Sequence, residues 1–496
     1  MRWLSRRRLI ALLIGCVWAG TTLWHLHKPL PAGLHTDGAW QSVPADQLRF
    51  LADVTGADAY GQPIIRQEIF DEWFAVIARA RRYIVIDMFL FNDHSGRMST
   101  ERAPLRPLSR ELRDALLAAR ARTPQLRVLL IVDPINDVYG GDPSPDLALL
   151  QDAGIDVVRC DLDRLRDSNP WYSGAWRLLL SWWLKPAREP GWLPNPFESG
   201  PDGVGFGSWA RLANLKADHR KVLLADDGGA GIVGIVGSAN AHDASSAHSN
   251  VAIELSGGAL QPLLASELAI ARFSHWRGDW LEPILRELPP IAPQPGATLD
   301  VAVHTEGAIA DFARERIAAT RAGDRIDIAM FYLSYRPIID ALLEAAERGV
   351  VIRLLLDPNK DAFGRVKSGR PNRPVAAELV SASNGAIRVR WYRTHGEQFH
   401  SKLLLVQSGE TVWVSAGSAN FTRRNIGDFN LEANLSVRAP AGSGFAQMVG
   451  DYFELLWQNR APVGVEYSAE YPVYADARQS SYIAYRVMEA TGLSSF

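Results

Sequence analysis

Apolar and polar positions along this chain follow two alternating periods. Segments with a helical apolar stripe, 69–80 (IFDEWFAVIARA) and 309–320 (IADFARERIAAT), lead into short apolar runs at 83–91 and 325–333 that predict buried strands. Helical and strand patterns continue to alternate through most of the chain. The pattern predicts an α/β fold in which a mixed, largely parallel sheet is covered by helices.

The same series of segments occurs twice, in the same order. The matching pairs are LRVLLIVDP and VIRLLLDP, IDVVRC and IRVRWY, HRKVLLAD and HSKLLLVQ, GSAN and GSAN, and NVAIELS and NLEANLS. A repeat of this length predicts two homologous halves. We place them at 45–290 and 298–460, followed by a C-terminal tail at 461–496.

The first half carries an insertion at about 161–217 that the second half lacks. It is rich in tryptophan, with Trp171, Trp176, Trp182, Trp183, Trp192 and Trp209. Arg177 and Lys185 bracket an apolar run that is too short to span a bilayer. Two interpretations stay open: a surface at the membrane interface, or a lid that packs its tryptophans on the domain.

Residues 1–30 have the pattern of a membrane anchor. Arg2, Arg6, Arg7 and Arg8 precede a mostly apolar run from Leu9 to Trp24. This predicts a single signal anchor in the inner membrane of a bacterium, with the catalytic part on the periplasmic side. A cleaved signal peptide, a lipoprotein signal at Cys16 and a twin-arginine signal are the alternatives.

Composition narrows the classes of function. The chain has 496 residues with a formal net charge of -2, so it lacks the basic footprint of a typical nucleic-acid-binding protein, and no nucleic-acid partner is expected. Cys16 and Cys160 are its two cysteines, which excludes a disulfide framework and a cysteine-based zinc site.

The candidate chemistry lies at the start of two equivalent strands. His219 and Lys221 are two residues apart, as are His400 and Lys402, so each pair projects from one face of its strand. A single histidine at such a place is often structural. Two copies of the same His-x-Lys, each followed by Gly-Ser-x-Asn, indicate one shared site.

This doubled pattern resembles the phospholipase D superfamily, whose signature is His-x-Lys-x4-Asp followed by Gly-Ser-x-Asn, and within it the cardiolipin synthase and phosphatidyltransferase branch. The resemblance implies two phospholipase D-like halves packed about a pseudo-twofold axis with both motifs at one cleft. It also implies that one histidine attacks phosphorus to form a phosphohistidine while the other protonates the leaving alcohol. We expect His219 to be the nucleophile and His400 the acid, with the reverse left open.

The remaining site residues follow from the same resemblance. Glu254 and Glu432, in the strands after each GSAN, match the position of a carboxylate that orients the nucleophilic imidazole. Lys221, Lys402 and four GSAN side chains are expected to bind the phosphate oxygens: Ser238, Asn240, Ser418 and Asn420. Because these donors neutralise the developing charge, no metal ion and no cofactor is expected.

Several neighbouring residues are expected to be structural. Asp226, which completes the first motif, is replaced by Gln407 in the second, and strand parity directs this position away from the cleft. Asp133 and Asp357 each precede a proline and are predicted to form turns. The other histidines are expected at the surface or in loops, and two of them, His242 and His395, are the candidates for the mouth of the cleft.

The sequence favours a membrane-associated phosphatidyltransferase that moves a phosphatidyl group from a phospholipid to an alcohol, either phosphatidylglycerol or a small alcohol such as ethanolamine. Hydrolysis of the same intermediate, giving phosphatidic acid, is the principal alternative. A nuclease or another phosphodiesterase fits the charge poorly. A non-catalytic scaffold would not be expected to keep both His-Lys pairs.

Overall fold

The computed structural model describes residues 6–58, 60–94, 105–184, 191–197, 203–288, 296–362, 365–460, 464–494 and 496. Arg2 and Lys185, named above, lie outside these residues. The strands are β1 Gln41–Pro44, β2 Leu48–Ala57, β3 Pro63–Arg66, β4 Tyr83–Met88, β5 Phe91–Asn92, β6 Arg127–Val132, β7 Asp156–Arg159, β8 Leu193–Pro194, β9 Gly203–Val204, β10 Lys221–Asp226, β11 Ile232–Gly237, β12 Ala241–His242, β13 Asn250–Ser256, β14 Ala297–Thr305, β15 Arg325–Met330, β16 Val351–Leu356, β17 Asp361–Ala362, β18 Arg365–Val366, β19 Ile387–Tyr392, β20 Lys402–Ser408, β21 Thr411–Gly417, β22 Ala433–Pro440 and β23 Ser468–Glu470.

The α-helices alternate with these strands. They are α1 Arg6–His27, α2 Ile69–Arg79, α3 Leu108–Arg122, α4 Pro145–Asp152, α5 Pro170–Leu179, α6 Phe206–Leu212, α7 Gln261–Phe273, α8 Leu281–Glu287, α9 Gly307–Ala318, α10 Arg336–Glu347, α11 Asn372–Ala382, α12 Arg423–Ile426, α13 Gly444–Trp457 and α14 Gln479–Thr491. Both amphipathic segments recognised in the sequence, at 69–80 and 309–320, are helical over most of their length as α2 and α9.

Two large sheets share one strand order. The first runs β3-β2-β13-β11-β10-β4-β6-β7 and the second runs β1-β14-β22-β21-β20-β15-β16-β19-β23. Seven consecutive strands of the first sheet, from β2 to β7 in the order above, correspond one to one to the seven strands from β14 to β19 in the second. The mixed α/β class predicted from the sequence is confirmed.

The sheets differ from the prediction in the direction of their strands. Only β4-β6-β7 and β15-β16-β19 pair in parallel, and the other pairs within the described part of each sheet are antiparallel. The reason is local: β10 and β11 are joined by the short hairpin at 227–231, and β20 and β21 by the still shorter turn at 409–410, so no crossover helix separates them.

The sheets pack face to face with helices outside. One apolar core contains side chains from both sheets, such as Val222 and Leu224 of β10 with Leu403 and Leu405 of β20. A second core joins the opposite face of the first sheet to α2 and α3, and a third joins the second sheet to α9 and α10. Because the two sheets share the central core, the equivalent strands β10 and β20 begin close together.

Both ends of the second sheet are extended by segments outside the predicted second half. β1, from before residue 45, pairs with β14, and β23, from the predicted tail, pairs with β19. The following helix α14 contributes Tyr485 to the outer core of this half. These segments therefore complete the second sheet.

Helix α1 is long and apolar enough to cross a membrane, and little of it is buried against the rest of the chain. Residues 6–17 are exposed throughout. Its later part contacts α5 of the insertion, where the rings of Trp18 and Trp171 lie 5.5 Å apart.

Candidate active site

Each histidine of the two motifs is held by the opposite half. The backbone N–H of His219 donates to the carbonyl of Leu431 at 3.0 Å, which places His219 beside Glu432. Likewise the N–H of His400 donates to the carbonyl of Ser249 at 2.8 Å. The two halves thus exchange equivalent contacts, and each histidine strand begins where the other half supplies a partner.

The partners of the two imidazoles differ. Nδ1 of His219 lies 2.9 Å from a carboxylate oxygen of Glu432. Nδ1 of His400 lies 3.2 Å from the amide oxygen of Asn250 and 3.0 Å from the carbonyl of Ser238. Glu432, Asn250 and the Ser238 carbonyl are acceptors, which favours a proton on each Nδ1 and leaves each Nε2 to the cleft.

Glu432 is fixed by hydrogen bonds of its own. Its carboxylate accepts from the hydroxyl of Ser418 and the amide of Asn425. In the other half, Asn250 accepts from the hydroxyl of Ser238 at 3.1 Å. Ser238 therefore orients Asn250, and Ser418 orients Glu432, and these two residues in turn orient the histidines. The sequence did not indicate this role of the serines. Burial raises the pKa of Glu432 to about 8, against the lowering effect of Lys221.

The two lysines lie beneath the histidines. Each ammonium donates to the carbonyl of the histidine two residues before it, Lys402 at 2.6 Å, which leaves donors for a ligand. Lys221 also lies 4.6 Å from the ring centre of Phe89, and Lys402 lies 5.2 Å from that of Phe331. Burial lowers the pKa of Lys221 to about 7 and lowers that of Lys402 well below its ordinary value.

The imidazoles are kept neutral by their surroundings. Burial lowers the pKa of His219 well below 6.5, and the charges of Lys221 and Lys402 lower it further. Burial, Lys402 and His248 have the same effect on the pKa of His400. An anionic phosphate between the lysines would offset this repulsion and favour a protonated His400.

A cleft of about 290 Å³ contains both histidines. Asn240 and Asn420 line it, and among the described residues their amide oxygens have no hydrogen-bond partner. Apolar side chains form much of the wall, including Phe89, Leu212 and Leu215. None of the described residues that line the cleft is acidic, so it fits an anionic group attached to an apolar body.

Asp133 and Asp357 form the predicted turns and also hold the histidine strands. Asp133 accepts from the N–H of Ile135 and, at 2.7 Å, from the N–H of Asp218, the residue before His219. Asp357 accepts at 2.7 Å from the N–H of Phe399, the residue before His400. The two aspartates occupy equivalent positions in the two halves, and this equivalence is the sequence signal for their shared role.

Glu254 does not join the cluster, contrary to the prediction. It lies on β13 and pairs with Arg49 at 2.9 Å. The strand registers explain the error: Gly237 is opposite Ala252, and Gly417 is opposite Asn434, so the residue equivalent to Glu432 is Asn250. Two additional residues in the second half, between GSAN and its strand, shifted the sequence alignment.

Asp226 lies at the far end of β10 from the cleft. Its carboxylate accepts backbone N–H groups of Arg81, Arg82 and Tyr83 and so holds the turn before β4. This arrangement is structural and agrees with the side chain pointing away from the cleft.

Three of the other histidines are buried: His304 and His242 lie in strands, contrary to the expectation, whereas His248 lies in a loop as expected. His304 lies in β14 and contacts Ser436, and His242 contacts Ser245. His248 lines the cleft, with its ring 5.9 Å from that of His400, and burial lowers its pKa to about 3. His395 is partly exposed and is not among the lining residues of the cleft.

No group of three or more His, Cys, Asp or Glu side chains among the described residues is arranged to hold a metal ion. The side chains that line the cleft around the two imidazoles include Lys216, Lys367, Arg424, Asn240 and Asn420. This set suits an anion rather than a cation.

Comparisons with known proteins agree with this geometry. Residues 315–457 match the family model of the cardiolipin synthase, phospholipase D-like domain. The crystal structure of phosphatidylserine synthase from Haemophilus influenzae Rd KW20 is similar with a TM-score of 0.52 at 10% identity, over 92% of this chain and 96% of that one. At this identity the match shows a shared fold.

Two further solved structures are less similar, with TM-scores below 0.5. Yeast tyrosyl-DNA phosphodiesterase gives 0.40 at 10% identity over 78% of this chain and 88% of that one. Polyphosphate kinase from Porphyromonas gingivalis gives 0.41 at 14% identity over 90% and 53%. No curated protein sequence matches the chain.

Both motifs of the doubled fold meet at one cleft, and the family-model match identifies a phospholipase D-like domain in the second half. The domain recognised in its second half is the one described for cardiolipin synthases.

Proposed function

We propose that the protein is a membrane-anchored phosphatidyltransferase that transfers a phosphatidyl group to an alcohol through a phosphohistidine. The observation that carries this proposal is the asymmetric pair of histidines in one apolar cleft: His219 with a carboxylate, His400 with an amide. Support also comes from the cardiolipin synthase domain match and from the phosphatidylserine synthase of similar fold.

In the first step, Nε2 of His219 attacks phosphorus, and the bond from phosphorus to the departing alcohol breaks. Glu432 accepts the Nδ1–H of His219 and stabilises the positive charge that develops on the ring. His400 gives the Nε2 proton to the leaving oxygen. Asn250 and the Ser238 carbonyl, being neutral, stabilise a protonated His400 less than a carboxylate would, so that ring gives up its proton more readily.

In the second step, the acceptor alcohol gives its proton to His400 and its oxygen attacks phosphorus. The phosphorus–nitrogen bond breaks and His219 is regenerated. Lys221, Lys402, Asn240 and Asn420 surround the non-bridging oxygens in both steps. Ser238 and Ser418 contribute through Asn250 and Glu432.

Transfer requires that water be kept from the intermediate. The apolar wall of the cleft, formed in part by Leu212 and Leu215 of the insertion, supports transfer over hydrolysis. The absence of acidic side chains among its described lining residues favours an acceptor without a free amine, such as a second phospholipid, over ethanolamine.

The N-terminal helix supports the proposed location. Arg6, Arg7 and Arg8 precede the apolar stretch, which supports a cytoplasmic N-terminus with the catalytic part on the other face. In a bacterial host this is the periplasm. Protease treatment of intact spheroplasts should then digest the catalytic part, whereas a cytoplasmic catalytic part would be protected until lysis.

Product analysis tests the function. Purified protein in liposomes receives labelled phosphatidylglycerol, with and without ethanolamine, beside H219A, H400A and the control E254Q. Transfer predicts new cardiolipin or phosphatidylethanolamine with wild type and E254Q but with neither histidine variant. Phosphatidic acid alone would identify a hydrolase, and no lipid product would overturn the proposal.

Intact-protein mass spectrometry assigns the nucleophile. H400A should accumulate a phosphatidyl adduct on His219 when the leaving group is good enough to depart without acid catalysis. An adduct on His400 in H219A, with none in H400A, would reverse the assignment of the two histidines.

A further inference from the structure

The tryptophan-rich insertion leaves most of its tryptophan side chains exposed. Trp176 is buried, but Trp171, Trp182, Trp183 and Trp192 are 52%, 73%, 54% and 81% exposed. A lid that packed its tryptophans on the domain would bury them. The second interpretation from the sequence therefore does not describe this surface.

The exposed residues of the insertion lie on one face of α5 and in the turn that follows it. Trp171 and Leu179 are eight residues apart, a spacing that places them on one helical face, and Trp182 and Trp183 follow in the turn after α5. The opposite face, with Ser173, Gly174 and Trp176, is buried. An apolar face of this kind on a helix requires a partner.

The packing of α5 on helix α1 indicates that this partner is the membrane. Gly174 of α5 approaches Thr22 so closely that an added Cβ would lie 2.1 Å from the Thr22 hydroxyl, and Trp18 Nε1 donates to the carbonyl of Trp171 at 3.3 Å. Beyond these contacts, Lys28 donates to the carbonyl of Asp163 at 2.7 Å. α5 is therefore attached along the later part of α1.

The length of α1 then sets the depth of α5. The exposed apolar stretch from Leu9 to Val17 rises about 14 Å, whereas the hydrocarbon core of a bilayer is about 30 Å thick. The rest of that thickness must be filled by the stretch from Trp18 onward, which lies against α5. A membrane-spanning α1 thus carries the start of α5 into the bilayer.

We infer that α5 and its tryptophans are a second membrane contact, which docks in the phospholipid interface beside α1. Ala175 and Leu179 face the acyl chains, and Trp182 and Trp183 lie near the headgroups. The indole N–H of Trp182 donates to the carbonyl of Leu178, and that of Trp183 to Leu179, so the rings enter the interface with their donors satisfied.

This contact is joined to the catalytic cleft. Tyr172 donates to the carbonyl of Ala210, and Ser173 donates to Asn214, so the buried side of α5 packs on the segment that carries Leu212 and Leu215. Those two leucines line the cleft. Docking α5 in the interface holds this wall beside the bilayer and lets a phospholipid reach His219 without leaving the membrane fully.

The inference rests on the proposed function only in taking α1 as a membrane helix, and its first test needs no turnover. Full-length protein with the C16S substitution is spin-labelled at A175C, L179C or W183C and reconstituted in phosphatidylglycerol–phosphatidylcholine liposomes. The control is A230C, in the exposed β10–β11 hairpin at the end of the sheet away from the cleft. Collision with oxygen and with a water-soluble nickel complex is measured for each.

The labels at 175 and 179 should show a several-fold higher ratio of oxygen to nickel collisions than the label at 230. The label at 183 should show an intermediate ratio. Nickel collisions at 175 and 179 as frequent as at 230 would overturn the inference. A W182A/W183A double variant gives a second readout: several-fold lower activity on bilayers, with activity on a soluble short-chain phospholipid retained. Equal loss on both substrates would contradict a docking role.

Discussion

Nδ1 of His219 lies 2.9 Å from Oε1 of Glu432, although 213 residues separate the two along the chain. The pair joins the two halves and has no carboxylate counterpart at His400, where Asn250 takes the equivalent place. A site built from a repeat thus has one imidazole prepared to bear positive charge and one prepared to release a proton.

E432Q should lower kcat by about 100-fold or more, because the amide cannot stabilise the charge that forms on His219 when it attacks phosphorus. The measurement is single-turnover formation of the phosphatidyl adduct. E254Q is the matched control, since Glu254 pairs with Arg49 away from the cleft. Equal rates for the two variants would remove Glu432 from the mechanism.

The lowered pKa of Lys221 should move the alkaline limb of the pH profile to lower pH than an ordinary lysine would give. Burial lowers the pKa of Lys221 to about 7, so in the free enzyme its positive charge is lost as the pH rises through that value, and kcat/KM should fall well below pH 10. A bound phosphodiester favours the charged lysine and raises its pKa, so the limb of kcat should lie at higher pH. Coincident limbs near pH 10 would contradict this prediction.

The effect of burial on His219 should be visible in the titration of its ring. Burial holds the pKa of His219 well below 6.5, so the imidazole stays neutral as the pH falls through that value. The NMR signals of the His219 ring, assigned by comparison with H219A, should therefore not titrate until well below pH 6.5. A titration centred at 6.5 or higher would indicate an imidazole without these surroundings.

The sequence alone was sufficient to predict those residues of the site that occur in both halves. Both His-Lys pairs are predicted from the doubled motif, and the alternation of side chains along a strand puts each pair on one face. Asn250 was missed because the loop after Asn420 is two residues longer than its counterpart, and only pairing between strands reveals that offset. Contacts between halves, such as that of His219 with Leu431, have no local sequence signal.

Arg220 should stabilise the joined halves. Its guanidinium donates to Glu267 of its own half at 2.9 Å and to Glu306 of the other half at 2.7 Å, and all three side chains are fully buried. R220L leaves two buried carboxylates without their cation and should lower the free energy of unfolding by about 3–5 kcal/mol.

The comparison is R49A, which removes the partly exposed pairs of Arg49 with Glu72 and Glu254 and should lower the free energy of unfolding by about 0–1 kcal/mol. Thermal unfolding of both variants in the same detergent is the measurement. An R220L variant as stable as R49A would show that the buried pair adds nothing to the contact between the halves.

Gly174 should be the position that most sharply controls how α1 packs on α5. The two helices approach so closely there that a valine side chain has no space beside Thr22 and Trp18, and overpacking of this kind opposes folding by about 1–3 kcal/mol. Gly15 is the matched control, because it lies in the exposed part of α1 with nothing within 4 Å of an added Cβ.

Hydrogen exchange in detergent should become faster at 18–27 and 170–179 in G174V, by about tenfold for each 1.4 kcal/mol, and stay unchanged in G15V. Equal exchange in the two variants would mean that α1 and α5 are not held together at this glycine, and the depth assigned to α5 would lose its support.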